Sequence, residues 1–428
     1  MENNILNFQI KKRSQHIIKV IGVGGGGGNA VNHMYKEGIH DVSFAICNTD
    51  NQALLDSPIP VKVQLGEETT KGLGAGNKPE VAFQAAEESI ELLQELMSDG
   101  TRMVFITAGM GGGTGTGAAP VVARVARELD ILTVGIVTIP FAFEGPRKII
   151  QALKGVEEIA KHVDALLVIN NERIRDIYHD WTMPSAFAKA DETLATAAKS
   201  IAEIITIKGI INLDFADVNT TLKDGGVAIM SSGLGKGTNS VDDAINDALH
   251  SPLLNSNDVF SAQKVLINLS YDKTMPLKVE ELNPLHDFLS KFSPEVDVIW
   301  GVAEEDGLGE NVKVTLLATG FTIADVPAID EHRQEISRAE KLEQQAQEEA
   351  KREEERKNRE KIEEFYGKKV AKTITKTTRI EPFVLSLNEL DDDKLLEALE
   401  KTPVFKRDRE FNPRLFRRDG QTATSPII

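Results

Sequence analysis

Two glycine-rich stretches hold the residue types best suited to chemistry in this chain. They are Gly22–Val31, GVGGGGGNAV, and Ala108–Pro120, AGMGGGTGTGAAP. Each follows an apolar run and precedes a helical pattern. Consecutive glycines let a backbone approach a ligand closely and adopt φ > 0. A row of bare N–H groups at a helix start suits phosphate, through hydrogen bonds and the helix dipole together. Within the second stretch, Gly111–Gly117 alternates glycine with threonine, so amides and hydroxyls can both face phosphate oxygens. A plain hinge needs no alternating threonines. Two such loops on neighbouring strands would hold a polyphosphate from both sides.

Other patterns compete with that reading. Gly22-x-Gly24-x-x-Gly27 has the spacing of a dinucleotide site. An NAD-dependent oxidoreductase of that type needs an acid about 20 residues further on for the ribose. Asp41 lies near that distance but ahead of the second predicted strand, and Asp50 ends a strand but lies too far along. No Tyr-x-x-x-Lys set stands out either. No G-x-x-x-x-G-K-[ST] occurs, which excludes a P-loop NTPase. Phe187 and Asp191 sit one turn apart on one helix face. Alone, each reads more simply as core and as a solvated charge. Asn212–Val218, NLDFADV, brings Asp214 and Asp217 three apart. Taken alone these are solvated acids of a helix-terminating loop.

The elements that must position these residues alternate in type. Strands are expected at Ile17–Val23, Val42–Cys47, Met103–Thr107, Ile131–Pro140 and Ala165–Asn170. Helices are expected at about Asn29–Glu37 with Gly38 as C-cap, Lys78–Ser98 with Asn77 as N-cap, Ala118–Leu129 and Arg147–His162. In the second of these, Phe83, Ala86, Ile90, Leu93 and Met97 step by three and four and mark one face. Strand–helix alternation predicts a parallel sheet covered on both faces. A longer helix, about Ser185–Ile205, has no strand directly before it and is expected to bridge two domains. A second α/β block runs to about Ile323, with a hairpin, Val296–Ala303 and Val312–Ala318, around the turn DGLGEN.

Composition bounds the function. The 428 residues predict two or three domains, and 41% hydrophobic content suffices for a core. With 49 basic and 66 acidic residues the net charge is −17, which argues against a nucleic-acid binder and against direct membrane insertion. The single cysteine, Cys47, fits a reducing compartment. The N-terminal MENNILNFQIKKRS lacks an apolar signal region, and no run approaches the ~18 apolar residues of a membrane span. A cytoplasmic protein is expected. From Glu331 to Glu364 twelve acidic and nine basic residues leave almost nothing to bury. Short apolar islands with arginine follow, as in docking peptides.

GGGTGTG at Gly111–Gly117, GVGGGGGNAV, FEG at Phe143–Gly145, NLDFADV, SPLL at Ser251–Leu254 and TPVFKR at Thr402–Arg407 together resemble the tubulin/FtsZ superfamily, and within it the bacterial FtsZ family. The resemblance covers about residues 15 to 323. It implies a Rossmann-like parallel-sheet GTPase domain, a long central helix and a second, smaller α/β domain, followed by a charged linker and tail. The corresponding divisions are 1–16 as a flexible arm, 17–184 for GTP binding, 185–211 for the central helix, 212–323 for polymerisation, 324–380 for the linker and 381–428 for the tail.

The resemblance also implies GTP and GDP as ligands, with Mg²⁺ held mainly by phosphates. Gly25, Gly26, Gly27, Gly28, Asn29 and Asn48 would contact the nucleotide, and Gly113, Thr114 and Gly115 its phosphates. Glu144 and Asn171 would approach the ribose, Phe187 would stack on guanine, and Asp191 would accept from its edge. Asn212, Asp214 and Asp217 would complete the site of the next subunit in a head-to-tail filament of the bacterial division ring. Pro403, Phe405 and Arg407 would dock membrane-tethering division proteins such as FtsA, alongside other divisome regulators. One departure stands out. The family has arginine four residues after Glu144, where this chain has Lys148 beside Arg147. A nucleotide-binding assembly factor without catalysis therefore stays open as an alternative.

Overall fold

The computed structural model describes residues 16–39, 41–177, 182–207, 209–250 and 259–322, together with Arg356. All of these but Arg356 lie in one compact unit, Met1–Glu340. The expectations for the N-terminal arm, Ser251–Leu254, the charged linker and the tail peptide lie outside the described residues, Arg356 excepted.

The first half alternates strand and helix. It runs β1 (Ile18–Val23), α1 (Gly24–Glu37), β2 (Val42–Asn48), α2 (Asn51–Leu55), β3 (Val61–Gln64) and α3 (Glu67–Thr70). Next come α4 (Pro79–Glu88), α5 (Ile90–Met97), β4 (Met103–Gly109), α6 (Thr114–Glu128), β5 (Leu132–Ile139) and α7 (Pro146–Ile159). It closes with β6 (Ala165–Asn170), α8 (Asn171–Ile177) and the long α9 (Met183–Thr206). The second half holds β7 (Gly209–Ile211), α10 (Phe215–Leu222), β8 (Gly226–Lys236) and α11 (Ser240–Leu249). It ends with β9 (Lys264–Tyr271), α12 (Asn283–Leu289), β10 (Asp297–Glu304) and β11 (Asn311–Phe321).

The strands form one sheet in the order β3-β2-β1-β4-β5-β6-β8-β11-β9-β10-β7. The first six are parallel, as the alternation predicts. Parallel pairing of Ala165–Leu167 with Gly226–Ala228 carries the sheet into the second half, where directions mix. Side chains alternate across each strand, so the sheet has two apolar faces. Val104, Ile106 and Ala108 of β4 join the cluster that α6 and α7 cover. Met103 and Phe105 join the opposite cluster, under α1, α9 and α10.

Several expectations are corrected. α1 starts at Gly24, five residues before Asn29, and α6 at Thr114, four before Ala118. Each glycine costs about 1 kcal/mol of helix propensity, so sequence reasoning delays the start. Packing overrides that cost, because the glycines let these helices press on neighbouring backbone. The predicted Lys78–Ser98 helix breaks at Ser89, whose hydroxyl donates to the Ala85 carbonyl (3.0 Å) and accepts the Gly66 N–H (2.9 Å). Asn77 does not cap it: Lys78 is the N-cap residue and Asn77 takes φ 60°. Phe83 leaves the apolar face and is 48% exposed.

The hairpin is also absent, because β9 lies between β10 and β11. Asp272, just past β9, accepts the N–H groups of Gly307 and Gly309 at 3.0 Å each and so folds the connection over the strand end. Together with the Thr274 N–H and hydroxyl, these donors hold its carboxyl well below the usual carboxylate range.

Candidate functional site

β1 and β4 are parallel neighbours, and each runs directly into glycines. Their helices, α1 and α6, therefore begin side by side at the carboxyl edge of the sheet, with both positive ends on one side. That edge carries a cleft of about 440 Å³. Gly25, Gly26 and Asn29 of α1 form one wall, and the loop Gly109–Gly112 forms the floor. Glu144, Lys148 and Asn171 form the opposite rim, while Phe187 and Asp191 of α9 close the side.

Each group has a structural cause. Thr182 caps α9 by accepting the Ser185 N–H at 3.4 Å, and Pro184 lies in the first turn. The helix then carries Phe187 and Asp191 one turn apart above the cleft. Phe187 packs edge-on against Phe141 (5.2 Å, 81°) and Phe143 (6.4 Å, 87°). The residue stays 39% exposed. Burial pushes the Asp191 carboxyl up to about 6. Glu144 accepts the Phe141 N–H at 3.0 Å and pairs with Lys148 at 3.2 Å. Arg147 lines a separate groove beyond the loop, so Lys148 is the cation at the cleft.

Asn171 is 5% exposed, and among the described residues its Oδ1 has no hydrogen-bond partner. A buried acceptor left unpaired at a cleft wall costs about 1–3 kcal/mol until a ligand donates to it. A side chain at Gly25 or Gly112 would meet open space, as expected where a ligand replaces it.

The remaining sequence-predicted residues border the cleft or lie away from it. Cβ atoms on Gly27 and Gly115 would collide with the Thr107 and Gly109 carbonyls, so these glycines seat the helices on β4. Gly113 packs close to Ala75 and Lys78, and Gly28 faces open space outside the cleft wall. The Thr114 hydroxyl meets that of Thr49 at 2.8 Å. Asn48 is buried and accepts the Asp50 N–H at 3.2 Å.

Asn212, Asp214 and Asp217 belong to the other end of the molecule. Arg102, just before β4, stacks over the Phe215 ring at 4.6 Å, so α10 begins beside the amino edge of the sheet. Here the two acids open a helix, where sequence alone reads the end of one. The Asp214 carboxylate accepts from the Ala216 and Asp217 N–H groups at 2.7 and 3.1 Å, and Asp217 accepts from the Asp214 N–H at 2.9 Å. Asn212 accepts the Gly209 N–H at 2.6 Å.

Sequence reasoning missed Thr138, Pro140, Ala190 and Leu194, which also line the cleft. Two signals would have found them. Ligands of parallel sheets sit at strand carboxyl ends, which points to the end of β5. Ala190 and Leu194 follow Phe187 at i+3 and i+7, on the same helix face.

Comparison with known proteins agrees with this geometry. Residues 17–179 match the Tubulin/FtsZ family GTPase domain, and residues 226–322 match the FtsZ family C-terminal domain. The chain is 52% identical over 413 residues to the cell division protein FtsZ of Porphyromonas gingivalis, covering 95% of this chain and 89% of that one. It is 45% identical over 307 residues to that of Aquifex aeolicus, covering 71% and 83%. A solved FtsZ dimer from M. jannaschii superposes with a TM-score of 0.66 at 37% identity, over 72% of this chain and 89% of that one.

Fold and cleft therefore define a GTPase of the tubulin class. Within that class, the two matched domains and the 52% identity place the chain in the FtsZ family.

Proposed function

We propose that this chain binds GTP in the α1–α6 cleft, polymerises head to tail and hydrolyses the nucleotide at the junction between copies. The β- and γ-phosphates lie on the glycine loop and the starts of α1 and α6, where N–H groups and helix dipoles favour negative charge. Guanine lies against the free face of Phe187. Its N1–H and amino group donate to Asp191, a choice that adenine cannot satisfy. Asn171 receives a ribose hydroxyl at its unpaired Oδ1, beside Glu144 and Lys148.

Among the described residues no group of three or more His, Cys, Asp or Glu could hold a metal. Mg²⁺ takes few protein ligands and would be carried by the substrate phosphates. When bound it would supply neutralisation of the phosphate charge.

The carrying observation is that Asp214 and Asp217 stand at the amino edge of the sheet while the cleft stands at the carboxyl edge. In a head-to-tail contact the acids of one copy meet the phosphates of the next. There they orient the attacking water, and Asn212 helps to close the junction. Such a contact is heterologous and generates an open filament. Relatives named cell division proteins, and one solved as a dimer, support assembly as the setting. The same reading keeps 185–211 as the central division between 17–184 and 212–323, although α9 itself spans Met183–Thr206 and the division also takes in β7.

Phosphate release from GTP, measured against protein concentration with light scattering in parallel, tests the junction. Turnover per molecule should rise steeply with assembly. Full turnover by a dilute monomer would refute it.

In the cell, the filament would sit at mid-cell, with residues 324–380 as a tether and Pro403, Phe405 and Arg407 docking a membrane-bound partner such as FtsA. Many tails on one filament would add avidity. Deleting 381–428 should spare assembly in solution and abolish recruitment.

A further inference from the structure

α7 separates two cavities. Lys148 faces the nucleotide cleft, whereas Gln151 faces a groove of about 530 Å³ on the far side of the glycine loop. From there the Gln151 side-chain nitrogen donates to the carbonyls of Gly111 (3.1 Å) and Gly112 (3.0 Å). Both of its protons are thus used on consecutive carbonyls. The Gly111 N–H donates to the Thr116 hydroxyl at 2.9 Å, and the Met110 N–H to the Thr138 carbonyl at 3.0 Å. Together these bonds fix the backbone of Met110–Gly112.

A trans peptide points its C=O and the following N–H in opposite directions. Carbonyls of Gly111 and Gly112 turned toward Gln151 therefore turn the N–H groups of Gly112, which lines the cleft, and of Gly113 away from it. Among the described residues neither of these N–H groups has an acceptor. Gly112 has nothing within 4 Å of where a Cβ would stand, so no side chain screens this surface.

We infer that Gln151 is a positioning residue for phosphate binding: its amide clamps two peptide planes so that two N–H donors face the phosphates. It touches no nucleotide. It fixes the loop that does, in the way outer groups orient the ligands of a built site. Without the clamp both peptides are free to flip and present carbonyl oxygens to an anion. This inference rests on the reading of the cleft as the GTP site.

The test is equilibrium titration of Q151L and Q151K with guanosine, GDP and GTP, thermal melts confirming the fold. Leucine is apolar, ends one atom short of the glutamine amide nitrogen and cannot donate, whereas a lysine ammonium still reaches both carbonyls. Q151L should bind GDP and GTP about tenfold more weakly, the net effect of two neutral hydrogen bonds. Its guanosine affinity should not change, and Q151K should stay close to wild type. Wild-type affinity of Q151L for GDP and GTP would overturn the inference, and so would an equal loss for guanosine. Asp191→Ala is the control on the site and should weaken all three ligands. If it weakens none, the cleft reading fails and this inference with it. If it weakens all three while Q151L weakens none, only the role of Gln151 fails.

Discussion

Asp214 caps a helix and, in the proposed mechanism, also serves hydrolysis, and one substitution divides the two. Its carboxylate caps α10 by accepting the Ala216 and Asp217 N–H groups. In the proposed filament it also polarises the water that attacks the neighbour's GTP. Asparagine caps a helix about as well as aspartate, whereas alanine costs about 1 kcal/mol. For a folded unit of about 300 residues that is a melting shift of about 1–2 °C. A positioned group that handles the proton of an attacking water contributes ~10²–10⁴-fold to rate. Asp214→Asn should therefore melt with the wild type, bind GTP normally and release phosphate at least ~100-fold more slowly. Asp214→Ala should show the same loss of turnover and the lower melting point. The assay is phosphate release at saturating GTP and high protein concentration, with melts on the same samples. Wild-type turnover in Asp214→Asn, with a defect only in Asp214→Ala, would reduce Asp214 to a helix cap and refute the shared site.

Burial raises Asp191 from 3.8 to about 6, so the nucleotide-free fold holds this proton more tightly than the unfolded chain. Its stability should fall as pH rises between those values and then level off, as denaturant titrations at several pH values would register. Guanine needs the carboxylate, so GTP affinity should rise about tenfold per pH unit up to about 6 and flatten above it, and Asp191→Asn should abolish that slope. Gly27→Ala drives a methyl into the Thr107 carbonyl and should destabilise by about 1–3 kcal/mol. Gly28→Ala adds its methyl in open space on the same helix and should stabilise by about 0.5–1 kcal/mol. Denaturation midpoints of the two variants moving in the same direction would contradict this packing.

The glycine loops and the parallel half of the fold are legible in the sequence because they depend on local signals. Gly22–Gly28 and Gly111–Gly117 stand at strand ends, and the alternation around them has only one economical solution. Periodicity also places Phe187 and Asp191 on one face. What escaped depends on contacts between distant segments. Phe83 fits the apolar stride of its helix, yet Ser89 breaks that helix because Gly66 lies against it. Val296–Ala303 and Val312–Ala318 look like a hairpin, and nothing local reveals that β9 will slot between them. Arg147 and Lys148 are adjacent, and only the phase of α7 decides which one meets the cleft. Gln151 has no motif, since its meaning lies in two carbonyls about forty positions earlier in the chain.

In the proposed mechanism the sheet keeps the two halves of the active site apart. Parallel strands bring the starts of their helices to one edge, so phosphate binding belongs at the carboxyl end of β1 and β4. α10 instead begins beside Arg102, before the first residue of β4. β4 runs from Met103 to Gly109, and at about 3.3 Å per residue it separates the two edges by roughly 20 Å. An aspartate side chain spans only a small part of that distance. Asp214 could reach the phosphates of its own chain only if the paired core of the sheet came apart. In the proposed filament a second copy related by translation along the strands would bring acids to phosphates with no rearrangement. It leaves one unmatched cleft and one unmatched pair of acids at its ends. On the proposed reading, completing either would require another copy, so a polymer would follow from the same geometry that withholds hydrolysis from the monomer.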